Sequence, residues 1–518
     1  MASPSEKLAE SLEVLRELQE KGAVAMRSVE MSRAHRERLL KNGFLQEVMK
    51  GWYIPARPDE PVGASTAWYA SFWGFCSAYL NARFDGNWCL SPEQSLLLHT
   101  GNRTVPIQLL VRAPKGGNKV TALPHNTSLL DVRASMPQEK DIVENDGLRL
   151  CSLPKALITC APAFYSQYPT EARAALAMIK DASEILQHLL EGGHSTIAGR
   201  LAGALRNIGR DRIADDIVKT MRAADFDVRE DDPFEHAGVV MFSAREVSPY
   251  VNRLRLMWQA MRESIIEKFP DAPGLPAKPD GYLAKVEEIY VTDAYHSLSI
   301  EGYRVSSALI ERVRSGNWNP DGDDADQQQR DAMAARGYWQ AYQAVRNSLN
   351  EVLGGKNAGA VAEQEHGTWY REMFAPSVAA GILRPADLAG YRNDQVFIRG
   401  SKHVPPSREA VRDMLPALFD LLKEETEASV RVVLGHFVFV YIHPYVDGNG
   451  RMGRFLMNLM LASGGYPWTV IPVEQRDAYM AALEEASVQQ NIEPFTDFIL
   501  SLVEAGLKGQ MTAKPPTA

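Results

Sequence analysis

The sequence predicts a mainly α protein in which a small α+β segment precedes a long helical region. Three patterns carry this. Residues 432–442 form an almost unbroken apolar run, and a second stretch of helical spacing follows from Arg451 to Ser463. Further helical patterns lie at 6–19 and 170–190, and hairpin patterns lie at residues 44–55 and 394–406. The elements are taken in chain order below.

The first 57 residues read as an amphipathic helix (Glu6 to Gln19), a short helix over 26–31, a basic helix over 32–41 and a hairpin, FLQEVMKGWYIP. Within 21–57, eight Lys or Arg face three acids, a local basic patch in a chain of net charge −9. This order resembles a winged helix-turn-helix. The resemblance implies Arg33, Arg36 and Arg38 on a recognition helix, the Lys50-Gly51-Trp52 turn as the wing, and promoter DNA as a partner. Residues 58–227, through CLSPEQSLLLHTG and LRLCSLPKALITCAP, are similar to the C-terminal part of AbiEi-type antitoxins, an α+β domain. The polar VREDDPFE string marks a linker over 228–244, and the Pro-rich 269–281 separates two helices of the region 245–508. The tail from 509 to 518 reads as disordered.

The helix after the Pro-rich turn carries Ser297 and Glu301, one turn apart on one face, with Gly302 placed to end it. Downstream, Val396, Phe397 and Ile398 form a β-prone run before a Gly400-Ser401 turn, and Pro405-Pro406 stop the return arm, which reads as a small hairpin.

Residues 443–454, HPYVDGNGRMGR, carry the chemistry. Pro444 disfavours helix at His443, so the apolar helix ends there, and Gly448-Asn449-Gly450 opens the next one. Free amides and the positive helix end then face an anion, with Arg451 and Arg454 on one face beside it. A hydroxyl attacking phosphorus needs this set: a base near neutral pKa, an acid for a metal, and donors matched to the phosphate charge.

These residues resemble the Fic family, whose signature is H-x-F-x-[D/E]-G-N-G-R-x-x-R; the match departs only at Tyr445, where Phe is usual. The resemblance implies a protein adenylyltransferase that uses ATP and Mg²⁺. It assigns His443 as the base, Asp447 to Mg²⁺ and Gly448, Asn449 and Gly450 to an anion hole. Arg451 would contact the phosphates and Arg454 the γ-phosphate, and a glycine at 450 favours AMP transfer over phosphate transfer. Ser297, Glu301 and Gly302 match the family's [S/T]-x-x-x-E-[G/N] inhibitory motif, which implies that Glu301 pairs with Arg454 and denies it to ATP. The hairpin would clamp a target protein by strand addition. Tyr479, Met480 and Ser487 fall where relatives line the adenine pocket, Ser487 replacing a frequent Asn. Two rivals remain open at this stage: an ATP-sensing transcriptional regulator without transfer, and a hydrolase that removes AMP.

Composition sets the remaining bounds. With 518 residues and 45% hydrophobic content the chain can bury two or three cores. No run approaches the roughly 18 apolar residues of a membrane span, and the N-terminus lacks signal-peptide regions, so a cytoplasmic protein is expected. Cys76, Cys89, Cys151 and Cys160 have no CxxC spacing and are expected to pack as reduced thiols. A second copy of the chain stays open as a partner.

Overall fold

A computed structural model describes residues 3–58, 64–234, 248–316 and 329–514. The chain divides into two units, Met1–Arg253 with Phe397–Val404, and Leu254–Val396 with Pro405–Ala518.

The first unit opens with α1 (Pro4–Glu20), whose N-cap Ser3 forms a capping box with Glu6. It continues through β1 (Met26–Arg27), α2 (Arg33–Lys41), β2 (Leu45–Met49) and β3 (Trp52–Pro55). The helix expected over 26–31 is absent. Met26 and Arg27 instead pair with Tyr53 and Trp52, and Ser28 N–H bonds Gly51 O, so strand pairing takes the backbone groups a helix would need. The hairpin β2–β3 forms where expected, with Gly51 at φ +82° in its turn. Leu15, Met26, Leu39 and Leu45 make a small core beneath it.

Then α3 (Thr66–Phe84), β4 (Cys89–Leu90), α4 (Pro92–His99), β5 (Gln108–Ala113), β6 (Lys119–Leu123) and β7 (Thr127–Arg133) build a sheet in the order β4-β5-β7-β6. Trp68, Phe72, Phe75 and Leu80 of α3 share one core with Leu109, Val111 and Leu129 of this sheet. The hairpin β8 (Ile142–Asn145) and β9 (Leu148–Cys151) leads into α5 (Leu153–Thr159), α6 (Ala163–Gln167), α7 (Pro169–Ala177), α8 (Ser183–Gly192), α9 (Ser195–Asn207) and α10 (Asp211–Ala223). All four cysteines are buried free thiols, as expected.

The linker expected over 228–244 is not free where the structure describes it. Val228 and Phe234 are buried in the core of α5–α10. A Cβ at Gly199 or Gly203 of α9 would meet the carbonyl oxygens of Arg229 and Asp231, so these glycines let the chain lie directly on the helix. Residues 235–247 lie outside the described residues.

The second unit takes up α11 (Pro249–Lys268) from Leu254, then α12 (Pro279–Ile300), α13 (Ser307–Arg314), α14 (Gln329–Leu353), α15 (Ala358–Ala379), α16 (Arg408–Glu424), α17 (Ala428–Ile442), α18 (Asn449–Gly464), α19 (Arg476–Gln489) and α20 (Glu493–Leu507). The apolar run becomes α17, buried almost all round, and α18 is buried nearly throughout. No described helix is long and apolar enough to cross a membrane. The tail begins less freely than expected: Ala513 is buried and Lys514 O accepts from His296, while residues 515–518 lie outside the described residues.

The hairpin expected at 394–406 is a turn without a ladder. Ser401 N–H bonds Ile398 O, but the two arms do not pair. Phe397–Val404 instead belongs to the first unit, where Lys402 O accepts from Val105 N–H at 3.0 Å, Gly400 N–H donates to Thr66 Oγ1 at 3.2 Å, and Val404 enters the core of α3. Gln395 Nε2 and Arg392 Nη2 take the carbonyls of Pro405 and Pro406, and these prolines supply no donors to a ladder.

Candidate active site

His443 follows directly on α17 and caps it in the left-handed conformation, φ 52° and ψ 60°. That geometry is unfavourable for a residue with a Cβ, and the chain holds it with a buried arginine. Arg392 donates Nε to His443 O (2.8 Å), Nη1 to Asp394 O (3.0 Å) and Nη2 to Pro406 O, while its own N–H bonds Pro444 O (2.9 Å). Burial pulls Arg392 down to about 10, still well above neutrality, so it stays charged. The His443 ring approaches Val440 O through Nδ1 (3.2 Å), the arrangement of an N–H donor that leaves Nε2 as the acceptor. Desolvation lowers this imidazole to about 4 despite the Val440 carbonyl, and it is neutral at physiological pH.

The loop after it closes on itself. Asn449 Oδ1 accepts from Tyr445 N–H (2.9 Å) and Nδ2 donates to Tyr445 O (2.8 Å), so the Asn449 side chain is consumed in shaping the turn and offers only its backbone amide to a ligand. Tyr445 is buried, its ring stacked on Tyr370 at 3.8 Å. Gly448, at φ +81°, is the N-cap of α18, and the first bond inside that helix runs from Met452 N–H to Gly448 O. The amides of 449–451 therefore have no acceptor within the helix, the condition for an anion site.

Two buried arginines complete the donor set. Arg451 Nε and Nη2 and Arg454 Nη1 are buried without a hydrogen-bond partner, a costly state that an anion would relieve. Arg454 is otherwise held by α12: Nε donates to Ser297 Oγ (2.9 Å), and Nη2 to Ser297 O (3.0 Å) and Glu301 Oε1 (2.8 Å). Burial alone would lower this guanidinium, but Glu301 more than offsets it. Glu301 is the C-cap of α12 and Gly302 turns the chain at φ +85°. A Cβ at Gly450 would lie 2.3 Å from Glu301 Oε1, so the carboxylate sits directly over the glycine turn. One turn before Ser297, buried Asp293 anchors α12 by accepting from Tyr338 (2.6 Å) and Trp468 (3.1 Å).

Asp447 is exposed, 3.4 Å from Arg451. No group of three or more metal-ligating side chains occurs among the described residues. A lone exposed carboxylate beside phosphate donors fits Mg²⁺, which takes one or two carboxylates and completes its shell with phosphate and water.

The Fic/DOC family model matches residues 366–461, which span α15 to α18 and this loop. The chain carries a Fic domain over these residues. Its Fic domain is similar to the protein adenylyltransferase Fic of Drosophila willistoni, 29% identical over 225 residues, 43% of this chain and 41% of that protein. The protein of the same name from Nematostella vectensis is 27% identical over 256 residues, 49% of this chain and 56% of that one. The chain thus spans about half the length of these curated relatives. A solved structure of Fic-1 from C. elegans aligns with 66% of this chain and 97% of its own, at 20% identity and a TM-score of 0.37.

Not every expected site residue is brought together. His443, Asp447, Gly448, Gly450, Arg451, Arg454, Ser297, Glu301 and Gly302 gather around the α17–α18 loop of the Fic domain. Tyr479 is buried beside Arg454, with its hydroxyl 2.7 Å from His436 Nε2 and its ring beside Phe495, while Ser487 and Met480 are half-buried on α19. In the first unit, Arg33 is exposed and paired with Glu37, but Arg36 donates to Ser28 O and Arg38 to Lys7 O and Ser11 Oγ, holding the small fold together. Sequence reasoning missed Arg392, which no motif signals, and Tyr303 and Phe374, which flank Arg451.

Proposed function

We propose that this chain is an auto-inhibited protein adenylyltransferase that transfers AMP from ATP to a Ser, Thr or Tyr hydroxyl of a target protein. The observation that carries the reading is the Glu301–Arg454 pair seated over a glycine turn beside buried arginine donors, Arg451 Nε and Nη2 and Arg454 Nη1, that have no hydrogen-bond partner. In the step itself, the target oxygen attacks the α-phosphorus, the bond to the β-phosphate oxygen breaks and pyrophosphate leaves. His443 Nε2 takes the hydroxyl proton, for which a neutral imidazole with Nδ1 already committed is prepared. The amides of 449–451 and Arg451 bind the phosphates, and Arg454 reaches the γ-phosphate once Glu301 withdraws. Asp447 would hold Mg²⁺, which supplies neutralisation of phosphate charge.

The proposal extends to partners. The 394–406 segment would offer Val396, Phe397 and Ile398 to the target's main chain, and the basic N-terminal patch would contact promoter DNA. The test is incubation of the full chain with α-labelled ATP, Mg²⁺ and a cell lysate. Label should enter protein with the Glu301→Gly chain and be lost with His443→Ala, since a general base contributes on the order of 10²–10⁴ in rate. Label transfer by folded His443→Ala at the same rate would overturn the mechanism.

A further inference from the structure

The inhibitory helix does more than present Glu301. It ends in a paired closure, Gly302 N–H to Ser299 O (3.0 Å) and Tyr303 N–H to Leu298 O (3.1 Å), which ties the backbone of Tyr303 to the helix end. The Tyr303 ring then lies over Arg451, with the guanidinium carbon 5.1 Å from the ring centroid. Phe374 of α15 lies against the same guanidinium at 5.0 Å, and its ring also packs on Gly448, where a Cβ would come within 2.8 Å of it. Arg451 is 1% exposed. The exposed Asp447 makes a long ion pair with Nη2 at 3.4 Å, and neither Nε nor Nη2 has a hydrogen-bond partner.

A buried cation with Nε and Nη2 not spent in hydrogen bonds is therefore flanked by aromatic faces. Ring contacts attract the cation through the π face and consume none of its in-plane donors, so they can fix its plane while the N–H groups stay available to a ligand. We propose that Tyr303 is a positioning residue: with Phe374 it sets the plane of Arg451 for the phosphates, and so governs affinity for nucleoside di- and triphosphates. This rests on the reading of the site as a nucleotide site. It gives the inhibitory segment a hold on both arginines of the anion site, Glu301 on Arg454 and Tyr303 on Arg451.

The experiment is calorimetric titration of the full-length chain and its Tyr303→Leu and Tyr303→Phe variants with ATP, ADP and adenosine in the presence of Mg²⁺. Loss of a cation–π contact of about 0.5–2 kcal/mol corresponds to a roughly two- to thirtyfold weaker Kd. Tyr303→Leu should weaken ATP and ADP by that factor and leave adenosine unchanged, while Tyr303→Phe, which keeps the ring face, should match wild type. In auto-modification assays on the Glu301→Gly background, KM for ATP should rise with kcat retained. A Leu variant that binds ATP as wild type does, or that loses adenosine equally, or a Phe variant that falls with Leu, would overturn the role of Tyr303. A wild-type chain that binds no nucleotide would instead remove the nucleotide-site reading and this inference with it.

Discussion

Removing an acid from an active site usually lowers activity; here Glu301→Gly should raise it. Glu301 accepts from Arg454 at 2.8 Å with only a quarter of its side chain exposed, and Arg454 is almost fully buried. A hydrogen bond to a charged group contributes about 1.5–3 kcal/mol, which at 1.36 kcal/mol per decade corresponds to roughly ten- to hundredfold. The residual exposure of the carboxylate favours the lower end. The two bonds from Arg454 to Ser297 survive the change, so the arginine stays in place and gains freedom to meet a γ-phosphate. Auto-modification with labelled ATP and Mg²⁺ should therefore rise about tenfold or more over wild type, and a second change, Arg454→Ala, should cancel the gain. A thermal readout checks the same pair independently. Without nucleotide the variant leaves a buried cation short of its counter-charge and should melt below wild type, and ATP should restore more of the difference in the variant than it adds to wild type. Labelling no stronger than wild type at any ATP concentration would refute the inhibitory role of Glu301, as would a double variant as active as the single one.

Burial holds His443 at about 4, below its usual value, so the imidazole is neutral through the physiological range and loses its base function only as pH falls through that value. The pH profile of kcat/KM should thus stay flat from neutrality to about pH 5, and an acid limb near 6.5, the ordinary histidine value, would contradict this account. Arg392→Met should strip the carbonyls of His443, Asp394 and Pro406 of their donor; a loss of about 3 kcal/mol is expected in denaturant melts, with reduced transfer, and unchanged stability and activity would sink the idea that this arginine holds the catalytic corner. In the N-terminal patch, Arg33→Ala should weaken promoter binding and reduce the salt slope by about one, whereas Arg36→Ala and Arg38→Ala should act through fold stability; a gel shift with no preference over random DNA would remove the DNA reading.

What could be read from the sequence was set within a few residues. Pro444 stops α17 at His443, the glycines around Asn449 open α18, and Gly302 ends α12, because each acts on backbone geometry next to itself. The anion site follows from that local frame, and so does the buried α17 from its apolar run. Tertiary structure decided what depends on which chain passes nearby. The meeting of Glu301 with Arg454, 153 positions apart, is implied by sequence only through a family motif; the fold makes it a bond of 2.8 Å. Arg392 bonds only carbonyl oxygens, which every residue possesses, so no side-chain pattern marks its partners. The Asn449 side chain serves Tyr445 and leaves only the backbone amide to the anion site, and Arg36 and Arg38, expected on a DNA-facing helix, bond their own fold, because a polar side chain takes whichever partner folding brings within reach. The 394–406 segment shows the same limit: its turn is local and formed, while the partners of its arms were chosen by the fold, through Val105 and Thr66.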